Sequence, residues 1–312
     1  MYASIILFKK LGAFDDALTY LIPNDLTPVL KVGSGVVVPF GQRSAHGVVV
    51  AILDQLPSDL EVAKIKPIAS LVADFQLPAV SVEVARQMAQ HYHCSLAKAI
   101  RLWVPKQVWD GALQSPSIQR LCIADRSIPI RGSNQMAVFE WIQSRGACTD
   151  RELKAAIPHA NLALKTLLQK GVLRSDTEHA FPPFQSDTFH WPVFEKTLTE
   201  DQQAALTAIQ NADRPVLLHG VTGSGKTEVY LRLIGQTIAA GRQAILLVPE
   251  IALTPQTVAY FKALFGEHVA VFHSQLNASE RANEWWKVRL GYAPLTIGSR
   301  SAVFAPMTDW DW

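Results

Sequence analysis

Short runs of β-branched and aromatic residues, separated by turn residues, open the chain at 3–8, 20–22, 35–39 and 46–53. That punctuation predicts strands. Apolar positions at helical spacing follow over 82–98, and a stretch rich in Pro, Ser and Gly over 106–117 predicts a loop. Residues 1–105 therefore read as a β-rich domain. Over 118–178 the period changes, and three amphipathic helices are predicted at 134–145, 149–156 and 159–170, with Gly171 where a C-cap glycine belongs. Three short helices followed by Val172-Leu-Arg174 predict a winged helix. Its third helix suits a DNA major groove or a protein surface, and Lys165 and Lys170 give it only a thin basic face.

A linker carrying Phe181-Pro-Pro183 and Pro192 leads into a last unit, 187–312, where the pattern alternates. Helices are predicted at 199–211, 228–240, 257–265 and 277–289, and strands at 216–219, 243–248, 269–273 and 295–298. Asn277-Ala-Ser-Glu280 has the spacing of a capping box. Strands alternating with helices predict a parallel sheet, so the fold class is multidomain α/β.

The chemistry concentrates at one turn of that last unit. Gly220, Val221, Thr222, Gly223, Ser224, Gly225, Lys226 and Thr227 satisfy G-x-x-x-x-G-K-[ST] at every fixed position, with Glu228 next. An apolar run precedes the motif and a helical pattern follows, the context this motif requires. The three glycines let successive backbone N–H groups wrap a phosphate, and the new helix aims its positive end at the same anion. Lys226 is placed to reach the β and γ phosphates and the Thr227 hydroxyl to ligate Mg²⁺. The chain is expected to bind ATP with Mg²⁺.

Composition narrows the rest. At 312 residues the chain exceeds one ordinary core, and with 49% apolar and 18% charged residues it is globular in type. Its 29 basic against 27 acidic residues leave a charge of +2, so DNA binding must come from local patches, not a general basic field. Cys94, Cys122 and Cys148 are scattered and show no C-x-x-C pairing, which indicates neither a disulfide framework nor a zinc site. No apolar run is long enough to span a membrane and no signal layout opens the chain, so a cytoplasmic location is expected.

Further motifs fall in order. Leu198-Thr-Glu-Asp-Gln202 precedes the phosphate loop, and Val248-Pro-Glu250 through Thr254-Pro-Gln256 follows it. Phe272-His273-Ser274, then Glu280-Arg281 near Trp285, then Gly298-Ser-Arg300-Ser301 through Pro306 complete the series. Together with Gly220 to Leu231, these resemble the PriA family of primosomal replication-restart helicases. Tyr20-Leu-Ile-Pro23, Val32-Gly33, Val36 to Gly41, Ile65-Lys66 and His91-Tyr92-His93 resemble that family's domain for capturing a DNA 3′ end. Where family members often carry a Phe-Asp pair, this chain has Leu18 and Thr19. Leu18 cannot stack a base as an aromatic ring does, while Thr19 can still hydrogen-bond a sugar hydroxyl.

The resemblance implies an ATP-dependent motor moving 3′ to 5′ on DNA, binding branched or forked DNA and single strands to initiate helicase reloading. Gln202 would read adenine. Thr254, Arg300 and Ser301 would grip the DNA backbone, and Leu18, Thr19 and Lys66 would meet the 3′ end. Glu250 and His273 suit either DNA contact or a buried hydrogen-bonding role. Trp285 and Trp286 are adjacent on a helix and face different ways, which assigns one to the core and leaves the other able to stack a base. Primosome proteins and single-strand-binding protein are the implied partners, with no membrane, for a monomer in a bacterial cytoplasm close to the nucleoid. Where the family continues into an Asp-Glu-Glu-His box, this chain reads Met307-Thr-Asp309-Trp310-Asp311-Trp312, and neither aspartate is preceded by an apolar strand. The chain is thus expected to be the N-terminal portion of a longer protein whose second lobe carries the zinc site. The alternative is a module that holds ATP and DNA without turnover.

Overall fold

A computed structural model of the chain describes residues 1–8, 17–58, 60–111, 113–185, 189 and 197–308. Two compact units emerge: residues 1–114 together with 182–312, and residues 115–181.

The first unit begins with β1 (Tyr2–Leu7), β2 (Leu18–Leu21), β3 (Ser34–Phe40), β4 (Arg43–Leu53) and β5 (Ser70–Gln76), an antiparallel sheet in the order β2-β1-β4-β3-β5. One face buries Ala3, Ile5, Leu7, Tyr20, Val36, Val38 and Val49. The alternation of the strands supplies this apolar face. Three helices follow: α1 (Ala79–His91), α2 (Leu96–Ile100) and α3 (Lys106–Asp110). The single helix expected over 82–98 is therefore two. His93 adopts a φ of 48° between them, and Ser95 starts the second by accepting the Lys98 N–H at 3.3 Å. A helix also replaces the loop expected from residue 106. Its Val108 is buried, and Trp109 meets Phe8 edge-on at 5.4 Å, so tertiary packing overrides the turn-rich local sequence.

Residues 115–181 hold β6 (Ser117–Ile123), α4 (Ser133–Arg145), β7 (Ala147–Thr149), α5 (Asp150–Ala156), α6 (Ala160–Gln169) and β8 (Leu173–His179). The three strands pair antiparallel in the order β7-β6-β8. Thr149 and Glu152 close a capping box on α5. Ala160, Ala163, Leu164 and Leu167 give α6 its buried stripe, while Lys165 stays exposed on the other side. Burial, then the Glu152 carboxylate, pushes the Cys148 thiol up to about 11, so it is protonated and unreactive near neutrality.

The remainder of the first unit contains α7 (Glu200–Gln210), α8 (Lys226–Ala239), β9 (Ala244–Leu247), α9 (Pro255–Phe265), β10 (Val269–Phe272), α10 (Ala278–Arg289) and β11 (Leu295–Gly298). The strands are parallel in the order β10-β11-β9, over a core of Leu231, Ile234, Phe261, Phe265, Val271 and Ile297. The strand expected at 216–219 does not form. Leu217 is 87% exposed and Val216 48%, and no strand among the described residues pairs with this segment. An apolar run becomes a parallel strand only when neighbours cover both its faces and satisfy its backbone, and none is present here. No helix among the described residues is long and apolar enough to cross a membrane.

Candidate nucleotide and nucleic-acid site

Parallel strands bring all their C-terminal ends to one edge. Phe272, Gly298 and Leu247 are register partners there, and the loops that follow them carry the motifs at 248–256, 273–274 and 299–306. Helix α8 returns to β9 through residues 240–243, so its N-terminus lies toward the same edge.

The phosphate loop is built around that N-terminus. Gly223 and Gly225 adopt φ values of 82° and 81°, where a side chain is strained. Gly225 is the N-cap residue of α8, and a Cβ on it would run into the Gln202 amide. A Cβ on Gly220 would meet the Ser224 hydroxyl at 2.7 Å. Lys226 and Thr227 occupy the first two helical positions. The Lys226 ammonium is curled into the loop, donating to the carbonyls of Gly220 at 2.7 Å and Val221 at 2.9 Å. A close-approach glycine cradle, an uncapped helix N-terminus and a lysine inside the curve fit a nucleotide polyphosphate. Glu228 turns away to pair with Arg232 at 3.3 Å.

Gln202 ties α7 to this loop. Its Oε1 accepts the Thr199 N–H at 3.0 Å, closing a capping box, while its Nε2 donates to the Ser224 carbonyl at 3.1 Å. One end of the amide is engaged at the start of α7 and the other at the glycine loop.

The other motif residues are scaffold first. Thr254 caps α9, its hydroxyl accepting the Thr257 N–H at 3.2 Å. Gly298 allows β11 to pass the Phe272 carbonyl, since a Cβ there would clash with it. After it, Ser299 donates its N–H to Phe272 O at 3.2 Å, leaving Arg300 exposed and Ser301 half-buried at the start of a 3-10 turn, Arg300–Phe304. A cavity of about 390 Å³ beside these loops is lined by Glu250, Pro255, Val258, Lys262, His273 and Ser274. Glu250 and His273 therefore face one cavity instead of being sealed in the core. Lys262 was not foreseen, though its spacing from Pro255 and Val258 puts it on the same face of α9. Trp285 and Trp286 are 1% and 3% exposed, so neither is free to stack a base. The helix is covered on two sides, which adjacency alone does not reveal.

In the antiparallel sheet, Leu18 and Thr19 lie on β2 opposite Ile5 and Ser4. Leu18 is half-buried and packs on the sheet's core. Leu21 donates its N–H to Lys66 O at 3.0 Å, which lays residues 66–68 alongside β2. The Lys66 ammonium is exposed and reaches Gly41 O at 3.2 Å across the β3–β4 turn. Asp309 and Asp311 lie outside the described residues. Among the described residues, no three His, Cys, Asp or Glu side chains gather as a metal site.

Residues 5–105 match a family model described as the 3′ DNA-binding domain, and residues 199–311 one described as a DEAD/DEAH box helicase. The replication restart protein PriA of Bacillus subtilis is 29% identical over 98% of this chain and 47% of its own length. The protein of the same name from Chlamydia muridarum is 31% identical over 98% and 42%, and that from Synechocystis 27% over 93% and 44%. The chain thus spans less than half the length of these curated relatives. With a 3′ DNA-binding domain and a helicase domain matched in that order, the chain belongs to the PriA family of replication restart proteins and corresponds to the N-terminal portion of its members.

Proposed function

We propose that this chain is the DNA-end-binding and first motor portion of an ATP-dependent 3′-to-5′ DNA helicase that recognises stalled or branched forks and initiates helicase reloading. Residues 1–105 hold the 3′ end, residues 118–178 form a winged helix, and residues 187–312 form the first motor lobe. Lys226 and the loop amides of 220–228 hold the phosphates, Thr227 ligates Mg²⁺, and Gln202 reads the base. ATP with Mg²⁺, when bound, supplies the hydrolysable phosphoanhydride. Leu18, Thr19 and Lys66 contact the 3′ end, and Thr254, Arg300 and Ser301 the strand backbone. Primosome proteins, single-strand-binding protein and single-stranded DNA are the partners of a monomer in the bacterial cytoplasm. The observation that carries this reading is the glycine cradle at the start of α8, in a chain that also matches a 3′ DNA-binding domain.

The test is binding to forked DNA with a free 3′ end against a blunt duplex, over a salt series. Phosphate contacts release counterions, so log affinity falls linearly with log salt, by about 0.7 per contact on single strands. Lys66→Ala is expected to weaken binding and flatten that slope by about one contact's worth. An unchanged slope removes Lys66 from the interface, and no preference for the 3′-ended fork removes end capture.

A second reading, a module that binds without turning over, is favoured by the unpaired segment 215–220 leading into the phosphate loop. Phosphoryl transfer depends on positioning, and about 1 Å of misplacement costs on the order of a hundredfold. A loop whose leading segment is not anchored in the sheet cannot hold that tolerance. The 312-residue chain is expected to show background ATPase with forked DNA in a coupled assay. Robust DNA-stimulated turnover, abolished by Lys226→Ala, would overturn the second reading.

A further inference from the structure

An aromatic seam joins the DNA-end domain to the motor lobe, although the two are far apart in sequence. Trp285 of α10 donates its indole N–H to the Trp103 carbonyl at 2.6 Å, with both residues buried. Its ring stacks on Phe75 of β5 at 5.6 Å and 18°, and Trp286 meets it edge-on at 4.8 Å. Phe75 continues the contact to Phe8 at 6.2 Å, and Phe8 to Trp109. One turn along α10, the half-buried Arg289 guanidinium feels the Asp74 charge.

The motor side of the seam is attached to the loop assigned to DNA at Arg300 and to the neighbouring loop at His273. On α10, Arg281 donates to the His273 carbonyl at 3.1 Å, at the exit of β10. Glu284 accepts the Val271 N–H at 2.8 Å and pairs with Lys287 at 2.7 Å. Helix α10 therefore grips β10 through Arg281 and Glu284 and the end domain through Trp285. A second arm runs through the turn that begins at Arg300, whose last residue, Phe304, meets Trp103 edge-on at 4.7 Å. The loops at His273 and at Arg300 are thus each one element removed from the Trp103–Trp285 contact, through α10 and through the Arg300–Phe304 turn.

We infer that this seam couples the two DNA sites, with Trp285 as the positioning residue: occupation of the 3′-end site sets the arrangement of the motor-lobe loops and tightens their hold on a strand. The inference rests on the DNA sites given under Proposed function. Packed aromatic contacts transmit because such interfaces settle in discrete arrangements instead of deforming continuously. Coupling is reciprocal, and a factor of about five or more is the ordinary scale.

The experiment measures affinity for a labelled, 3′-phosphorylated oligothymidine by anisotropy, with and without a saturating tetranucleotide bearing a free 3′ hydroxyl. In the parent chain the tetranucleotide is expected to tighten oligothymidine binding about fivefold or more. Tightening also excludes simple competition for one site. Trp285→Phe keeps a ring against Phe75 but removes the N–H donor, and Phe304→Ala removes the second arm. Each is expected to reduce the effect below about twofold while leaving the affinity for either oligonucleotide alone within about twofold. Equal tightening in both variants, or none in a parent that binds both oligonucleotides, overturns the inference. If the parent binds neither oligonucleotide, the DNA-site reading itself has failed, and the seam is then decided by unfolding. Residues 1–114 and 182–312 should melt in one transition in the parent and in two in Trp285→Ala. Separate transitions already present in the parent would overturn it.

Discussion

Replacing Lys226 with alanine is expected to lower affinity for ATP and Mg²⁺ by about a hundredfold without unfolding the chain. Its ammonium donates to Gly220 O and Val221 O, bonds that hold the side chain inside the curve of the cradle. An arriving phosphate replaces those neutral carbonyls with charged oxygens. A hydrogen bond to a charged partner is worth about 1.5–3 kcal/mol, and each 1.4 kcal/mol is tenfold in affinity. The lysine lies at a helix start on a loop with little packing, so its removal is expected to cost under about 1 kcal/mol of stability. Lys226→Arg should fall between the two, since a planar fork cannot replace a compact ammonium on two phosphates. Titration of a fluorescent ATP analogue checks this, and equal affinity in parent and alanine variant would remove the phosphate-loop assignment.

What was legible in the sequence was mostly local chemistry. The capping box at Asn277 and Glu280 marks the start of α10, as its side-chain bonds show, and Leu295–Gly298 emerges as β11 where its apolar run stands. The glycine turn before α8 was legible because Gly223 and Gly225, at the motif's fixed spacing, take the left-handed φ that leads the chain into the helix at Lys226. Strand β5 was missed because Asp74, at a φ of 63°, interrupts its alternation. Strand β6 was missed because its apolar residues Ile118, Leu121, Cys122 and Ile123 do not alternate, and β8 because it is largely polar; their pairing, with side-chain bonds from Gln119 to Thr177 and Arg120 to Glu178, is a tertiary fact. The opposite failure occurred at residues 216–219, where an apolar run signals the capacity to be a buried strand and says nothing of whether partners exist. Trp285 combines both lessons. Its helix was read correctly, but only the fold brings Trp103 across 182 positions to receive its N–H.

Gly33→Ala is expected to destabilise the first unit by about 4 kcal/mol and to lower its melting temperature by about 10 °C or more. Two effects add. Gly33 has a φ of 90°, where an L side chain is strained, and its Cβ would penetrate the Leu77 carbonyl, a backbone atom that cannot rotate away. The backbone cannot shift to relieve this, because it is tied on both sides. Gly33 N–H donates to Val49 O at 2.8 Å, and the Leu77 N–H donates to Gly33 O at 2.9 Å. Around it, Gln76 Nε2 donates to Val32 O at 2.9 Å, and Ser34 Oγ donates to Gln76 Oε1 at 3.1 Å while accepting the Lys31 N–H. This junction fixes β3 against β5, and with it Phe75, the residue on which Trp285 stacks. Gly41→Ala is the control: its φ of 61° is also left-handed, but nothing lies within 4 Å of a Cβ there, so only about 1–2 kcal/mol of backbone strain is expected. Thermal unfolding of the two variants separates strain from collision. A Gly33→Ala chain within about 1 kcal/mol of Gly41→Ala would mean that the Leu77 carbonyl yields, and that this junction is not what holds the DNA-end domain in register against the motor lobe.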